Sequence, residues 1–118
     1  MSTKQLEARV RHQEDVAIID MWGEIHASAE EMLSAAYSEA EGQNPAAILL
    51  NFSNVAYINS TGIALIVGLL ARARTSQRRL LACGLSEHYV EIFQITRLAD
   101  YMSVFADEAS ALASMQAA

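Results

Sequence analysis

The chain has 118 residues, of which 53% are hydrophobic and 19% are charged, so it is long enough and apolar enough to build one folded core. Its net charge of −6 argues against nucleic-acid binding, which calls for a basic face. The single cysteine, Cys83, excludes an intrachain disulfide and any metal site built on paired cysteines. We therefore expect one domain over residues 1–118.

Nothing in the sequence predicts secretion or membrane insertion. Residues 1–5 lack the apolar core of a signal peptide. The longest apolar run, residues 62–71, has about half of the ~20 residues that a membrane helix needs. We expect a cytoplasmic protein that binds neither membrane nor nucleic acid.

The first part of the chain predicts two paired strands. Leu6, Ala8 and Val10 alternate with polar residues, which is the period of a half-exposed strand. Residues 16–22 form a mostly apolar run, and only the polar residues 13–15 separate it from the first segment. So short a connection favours an antiparallel hairpin.

A helix is expected after this hairpin. Gly23 is predicted to supply a backbone conformation that other residues resist. Ser28 and Glu31 have the spacing of a capping box, which predicts a helix that begins at Ser28. The helix is expected to end at Gly42, because Pro45 prevents its continuation. One face carries apolar residues at helical spacing, namely Leu33, Ala36, Tyr37 and Ala40.

The middle of the chain predicts a strand, a loop and a second helix. An apolar strand at residues 47–52 is followed by a polar connection that only Val55 to Ile58 interrupt and that ends in residues 59–62, NSTG. The helix at residues 63–71 is almost wholly apolar, and we expect it to be core rather than a lipid site. Ser60 is predicted to be its N-cap and Thr61 its first or second residue. Both would lie at a helix N-terminus suited to a phosphate.

Two features border this second helix. Gly62 is expected to let the helix pack closely on the sheet. At the other end, four arginines fall where the helix should stop. We expect them to interact favourably with the helix dipole rather than to form a phosphate or RNA site. They are Arg72, Arg74, Arg78 and Arg79.

The remaining residues predict two strands and two helices. Residues 80–83 form a short apolar strand, and Ser86 caps a helix that reaches about Ile95. Residues 102–105 form another short strand, and Asp107 caps a final helix. The inward-facing residues are expected to be Tyr89, Val90, Ile92 and Phe93 on the first helix and Leu112, Ala113 and Met115 on the second.

This alternation predicts an α/β fold. We expect a mixed, mostly parallel sheet with an N-terminal antiparallel strand and about four packed helices. Ligands and partners of such sheets usually meet the loops beyond the carboxyl ends of the strands. The predicted loops at residues 23–27 and 53–61 should lie together at that edge.

The surroundings of Ser60 resemble a family signature. Residues 47–52, AILLNF, and residues 55–64, VAYINSTGIA, resemble the STAS family pattern of an apolar strand, a loop ending Asp-Ser-Ser/Thr-Gly and a buried helix. Trp22-Gly23-Glu24-Ile25 resembles the family's Gly-Glu-Leu turn, and residues 80–95 are similar to its next strand and helix. The resemblance covers roughly residues 8–112.

The resemblance implies a STAS-like fold and a bacterial anti-sigma factor antagonist of the sporulation or general-stress type, without enzymatic activity or cofactor. Such a protein binds an anti-sigma factor that has serine kinase activity, and so releases a sigma factor. The kinase phosphorylates the first hydroxyl residue of the motif, here Ser60 with Thr61 as runner-up, and a PP2C-type phosphatase reverses this. A homodimer is also compatible with the family. The implied partner-binding residues are Gly23, Glu24, His26, Tyr57, Asn59, Ser60, Thr61 and Gly62.

Two residues depart from the family pattern. Asn59 stands where the family has an aspartate, which removes a negative charge beside the phosphate acceptor but still allows the turn. His26 replaces the aspartate after Gly-Glu-Leu with a group that is neutral or cationic near physiological pH. If those aspartates contact basic groups of the kinase, the partner of this chain differs or binds more weakly.

Other interpretations remain open at this point. The fold could serve as a scaffold that is never phosphorylated, or the loop at Ser60 could bind a small-molecule phosphate. A hydrolase elbow, Gly-x-Ser-x-Gly, lacks its first glycine here, which disfavours a triad of Ser60, His26 and an acid. His12, His26 and His88 are expected to be solvated, and Cys83 to be a small buried hydrophobe.

Overall fold

A computed structural model describes residues 5–116, which form one five-stranded sheet and four α-helices. Two short 3-10 turns, Ala27–Ala29 and Leu98–Asp100, complete the elements of this part of the chain. In chain order the elements are β1 (Glu7–Gln13), β2 (Val16–Ile25), α1 (Glu30–Glu41), β3 (Ala47–Ile58), α2 (Ser60–Thr75), β4 (Arg79–Cys83), α3 (Glu87–Ile95), β5 (Ser103–Phe105) and α4 (Glu108–Gln116).

The strand order of the sheet follows the chain, β1-β2-β3-β4-β5. β1 and β2 pair antiparallel through a tight turn in which Glu14 has a φ of 55°. The other pairs of neighbouring strands are parallel, because after each strand a helix returns the chain to the end of the sheet at which that strand began. The mixed, mostly parallel sheet predicted from the sequence is confirmed.

The core lies on both faces of this sheet. One face is covered by α1, α2 and α3, and the opposite face by α4 through Ala111. The central strands are therefore buried on both sides, which explains their unbroken apolar runs Val16 to Ile19 and Ala47 to Leu50.

Two predicted loops proved to be strand. β2 and β3 both extend to the pair Ile25 and Ile58, after two shifts of register. Gly23 lies at the second shift with a φ of 104°, as expected for a glycine position. The loop predictions at residues 23–27 and 53–61 were wrong over most of their length. Pairing with a parallel neighbour satisfies the backbone hydrogen bonds of these segments, so they remain strand even where their side chains are polar and face solvent.

The capping box predicted at Ser28 was also wrong. α1 begins at Glu30, after the turn at Ala27–Ala29, and no side chain caps it. The hydroxyl of Ser28 instead hydrogen-bonds Nδ1 of His26 at 2.8 Å. The apolar face of α1 is confirmed as buried, with Leu33, Ala36, Tyr37 and Ala40.

α2 is longer and less buried than the sequence indicated. It has 16 residues, and its inner face contains Ile66, Leu69 and Ala73. The expectation that the whole helix is core was wrong, because a stripe of small and apolar residues faces outward: Ala64, Val67, Gly68 and Ala71. Among residues 5–116, no helix is long and apolar enough to cross a membrane.

Two of the four arginines near the end of α2 are structural. Arg72 lies 2.7 Å and Arg78 lies 3.4 Å from the carboxylate of Glu41 at the end of α1. The guanidinium of Arg72 also stacks over the ring of Tyr37 at 4.5 Å. These contacts join α1 to α2, so Arg72 and Arg78 form specific ion pairs beyond any interaction with the helix dipole.

The caps predicted for the last two helices are confirmed. The hydroxyl of Ser86 accepts from the amide of Tyr89, and the carboxylate of Asp107 accepts from the amide of Ser110 at 2.8 Å. On α4, Leu112 and Met115 are partly buried as predicted, but Ala113 is exposed. Ala111 takes the buried position instead.

Candidate functional site

The candidate site lies where β2 and β3 end side by side. Ile25 and Ile58 are paired residues, and the amide of Asn59 donates to the carbonyl of Ile25 at 3.2 Å. His26 and Asn59 therefore leave the sheet from adjacent strand ends. The expectation that the two segments meet at one edge of the sheet is confirmed, although strand rather than loop brings them there.

Asn59, not Ser60, is the N-cap of α2. Asn59 is extended, and its side-chain oxygen accepts from the amide of Gly62 at 2.8 Å. Its own carbonyl accepts from the amide of Ile63 at 2.9 Å. The prediction that Ser60 caps the helix was wrong, because the bond to Ile25 holds Asn59 at the last extended position. Thr61 is the second residue of the helix, as expected.

Gly62 sets how closely α2 approaches the sheet. A β-carbon at this position would lie 2.9 Å from the carbonyl carbon of Ile25 and from Cγ2 of Ile58, and closer still to the carbonyl oxygen of Ile25. Real β-carbons do not make such contacts, so only glycine fits without movement. The predicted close packing is confirmed.

Ser60 and Thr61 are both exposed at the start of the helix. Asn59 already binds the amides of Gly62 and Ile63, whereas the amides of Ser60 and Thr61 have no carbonyl one turn earlier within the helix. Their position adds the positive end of the helix dipole. This end of α2 can therefore stabilise an anionic group carried on either hydroxyl.

Tyr89 on α3 fixes the end of β3, a role that the sequence did not indicate. Its hydroxyl accepts a hydrogen bond from the amide of Ile58 at 2.9 Å, and its ring is buried. The sequence pattern predicted only an apolar contact at this position. A tyrosine three residues after the cap Ser86, on a buried face, was the available signal, since a buried hydroxyl usually finds a partner.

His26 is half-buried rather than solvated. Its Nδ1 bonds the hydroxyl of Ser28, while Nε2 is buried without a hydrogen-bond partner and lies 3.8 Å from a carboxylate oxygen of Glu24. The imidazole of His26 therefore lies between the hydroxyl of Ser28 and the carboxylate of Glu24 at this edge of the sheet.

Exposed large side chains lie on the elements near this edge. Tyr57 is 50% exposed, and Trp22 and Met32 are also exposed large side chains. Trp22 and Met32 line a surface cavity of about 810 Å³ together with Asn54. The sequence singled out Tyr57 but not Trp22, because a tryptophan inside an apolar run predicts a buried strand residue.

The predicted partner-binding residues therefore divide into three groups. Gly23 and Gly62 are buried and act by setting the backbone. Asn59 is partly buried and caps the helix. The residues whose side chains reach the surface, fully or in part, are Glu24, His26, Tyr57, Ser60 and Thr61. In the described part of the chain, no group of three or more metal-ligating side chains could hold an ion.

Solved structures share this fold. An anti-sigma factor antagonist from Mycobacterium paratuberculosis matches with a TM-score of 0.83 at 15% identity, covering 96% of this chain and 96% of that chain. The phosphorylated form of SpoIIAA, a cell fate determinant of Bacillus, matches with a TM-score of 0.70 at 22% identity, covering 92% and 99%. Likeness at these identities establishes the fold alone.

The sequence gives closer relatives over part of the chain. The anti-sigma-B factor antagonist of Staphylococcus aureus (strain NCTC 8325 / PS 47) is 39% identical over 57 residues, which are 48% of this chain and 53% of that protein. The matched segment spans about half the length of this curated relative. A model of the STAS domain matches residues 7–111. Because that match covers nearly all of the fold described above, the chain belongs to the STAS domain family.

Proposed function

We propose that this chain, whose residues 1–118 form a single STAS domain, is an anti-sigma factor antagonist that acts in the cytoplasm by binding rather than by catalysis. Its partner is an anti-sigma factor with serine kinase activity, and binding releases a sigma factor. Support comes from family membership and from the Staphylococcus aureus relative that carries this name. The partner docks on the edge formed by the ends of β2 and β3.

The binding is switched off by phosphorylation of Ser60. The observation that carries this step is the exposed hydroxyl of Ser60 at the first position of α2, on a backbone held by Asn59 and Gly62. A kinase needs such an accessible hydroxyl in a fixed geometry. Thr61 is exposed one residue later and is the alternative acceptor.

Electrostatics explain how one phosphate could end the interaction without unfolding the domain. A phosphate adds about −1.5 to −2 charges, and the helix N-terminus stabilises that charge on the modified protein. The same charge disfavours an apolar or acidic partner surface near Tyr57 and Glu24. A PP2C-type phosphatase removes it and restores binding.

Two variants of Ser60 test the switch against a kinase-like anti-sigma factor that binds the wild-type chain. Ser60→Ala is expected to bind constitutively, also in the presence of ATP, and Ser60→Asp is expected to lose binding. Thr61→Ala is the matched control, because it removes the neighbouring hydroxyl and should leave the ATP response unchanged. Calorimetric titrations with and without ATP measure each case. If Ser60→Ala and Ser60→Asp both bind like the wild type, the switch is wrong.

Intact-mass measurement after incubation with the kinase and ATP separates a switch from a scaffold. The switch predicts one added phosphoryl group on the wild type and none on Ser60→Ala. A wild-type protein that binds the kinase but gains no mass is a scaffold that is not phosphorylated. A phosphoryl group that persists in Ser60→Ala and disappears in Thr61→Ala moves the acceptor to Thr61.

A further inference from the structure

A second surface lies away from the ends of β2 and β3. The outer side of α2 and the turn that joins α3 to β5 enclose a groove of about 280 Å³, which we call the α2 groove. Its apolar and hydroxyl-bearing lining consists of Val67, Leu70 and Ala71 from α2 and Thr96, Leu98 and Tyr101 from the turn. Arg74 and Arg97 complete the lining.

Large apolar side chains are exposed in and beside this groove. Val67 is 45% exposed and Tyr101 is 60% exposed. Ile95, which immediately precedes the lining residue Thr96, is 78% exposed. Apolar side chains clustered around one concavity, with polar residues at its border, are typical of an interaction site.

The charged residues of the groove are basic, in a chain whose net charge is −6. The guanidinium of Arg74 lies 5.1 Å from the centre of the Tyr101 ring, and no carboxylate among residues 5–116 lies within ion-pair distance of it. Arg97 pairs with Asp100 at 2.6 Å, but its side chain is 79% exposed. With two arginines and one aspartate, the α2 groove and its border carry a net positive charge.

The backbone at Arg97 shows that an arginine is an unfavourable choice there on conformational grounds. Arg97 has a φ of 68°, in the left-handed region just after the end of α3. Glycine or asparagine occupies this position at less conformational cost. A strained residue with an exposed charge at the border of an apolar groove points to a use for its side chain.

We propose that the α2 groove docks an acidic amphipathic helical segment of a partner protein. The apolar face of that segment covers Val67 and Tyr101, and its carboxylates pair with Arg74 and Arg97. At a rise of about 1.5 Å per residue, Arg74 lies about 21 Å along α2 from Ser60. The groove is therefore a second surface, which a phosphate on Ser60 does not occupy.

The probe is a labelled peptide of about four helical turns with leucines on one face and glutamates on the other. Two further peptides serve as comparisons. One carries lysines in place of the glutamates, and the other has the acidic composition in scrambled order. We expect the acidic amphipathic peptide alone to bind the full chain, with amide shifts at Ala71, Thr96 and Tyr101. Its affinity should fall as salt rises, because the arginines are exposed.

Charge variants connect the binding to the two arginines. Arg74→Glu should weaken the peptide affinity by about tenfold, because the favourable contact is replaced by a repulsive one. Arg9→Glu is the matched control, since Arg9 is exposed on β1 and does not line the groove. The control should bind the peptide like the wild type.

A glycine substitution separates function from folding. Arg97→Gly relieves the left-handed backbone, so its denaturation midpoint should equal or exceed that of the wild type. Its peptide affinity should nevertheless fall by about threefold, because a border charge is lost. Glu14→Gly relieves a comparable φ of 55° in the β1–β2 turn and should not weaken the peptide.

Each other outcome overturns the proposal. Equal binding of the three peptides, or amide shifts outside the groove, shows that the groove does not select an acidic helix. Unchanged affinity in both Arg74→Glu and Arg97→Gly removes the role of the arginines. A concentration-dependent dimer by sedimentation velocity that Tyr101→Ala dissociates identifies a second copy of this chain as the occupant instead.

Discussion

The side-chain oxygen of Asn59 accepts a hydrogen bond from the amide of Gly62 at 2.8 Å, and this bond joins two requirements of the site. Asn59 ends the strand and caps α2, while Gly62 lets the same turn of helix rest against Ile25. The position of Ser60 between them is therefore determined by a cap on one side and a close contact on the other.

Replacing Asn59 by alanine should destabilise the domain through the lost cap. We expect Asn59→Ala to lower the free energy of unfolding by about 1 kcal/mol, because one amide at the helix start loses its partner. Asn59→Asp should retain most of the stability, since aspartate caps equally well and favours the helix dipole. Urea denaturation measures both. Asn54→Ala, at an exposed position of β3, is the control, and an equal loss there would contradict a specific capping role.

Two glycines in α2 provide a matched pair. Gly62→Ala should lower the free energy of unfolding by about 1–3 kcal/mol, because the added methyl group overpacks the contact with Ile25 and Ile58. Gly68→Ala should raise it by about 0.5–1 kcal/mol, since a β-carbon there meets nothing within 4 Å and alanine favours the helix. Denaturation of both variants under one condition gives the comparison. An increase in both variants would show that helix propensity, not packing, decides at Gly62.

The sequence predicted those features that local chemistry determines. Ser86 and Asp107 cap their helices as expected, because each side chain reaches an amide only three residues away. The buried strands were predictable because a parallel sheet covered on both faces requires unbroken apolar runs. Both kinds of feature depend only on residues that are close together along the chain.

Features that depend on distant parts of the chain were not predictable. Asn59 and Ser60 are comparable capping residues, and only the hydrogen bond from Asn59 to Ile25 of another strand selects between them. Ser28 bonds His26 and not the start of a helix. The hydroxyl of Tyr89 accepts from Ile58 of β3, 31 positions away, so the local pattern indicates that this hydroxyl has a partner but not which residue the partner is.

The thiol of Cys83 should be unreactive in the native protein. Burial raises its pKa to about 11, and the side chain has no exposed surface in β4. At pH 8 this pKa reduces the thiolate fraction by about two orders of magnitude relative to an unfolded cysteine. Labelling with a thiol reagent should therefore require unfolding and should follow its rate in denaturant. Rapid stoichiometric labelling of the native protein at pH 8 would contradict this assignment.

Asp20 should make the stability depend on acid pH. Arg11 donates two hydrogen bonds to its carboxylate and Asn51 adds a third at 2.8 Å, and the bonds from Arg11 are the main reason that the pKa of Asp20 is lowered. Since the folded pKa lies below the unfolded value, this contribution is fully present above about pH 4 and is lost as the pH falls through the folded pKa. Arg11 also pairs with Glu108 of α4. By binding Arg11, the carboxylate of Asp20 therefore helps to hold α4 on the sheet.

Asp20→Asn removes this ion pair while keeping the size of the side chain. We expect the free energy of unfolding to fall by about 1–3 kcal/mol at pH 7, because a partly buried charged hydrogen bond is lost. The difference from the wild type should shrink below about pH 4, where the wild-type carboxylate becomes protonated as well. Asp15→Asn is the control, because Asp15 is an exposed carboxylate in the turn between β1 and β2. Denaturation curves from pH 2 to 7 test this prediction. A difference in the free energy of unfolding that stays constant over that range would show that Asp20 does not stabilise the fold through its charge.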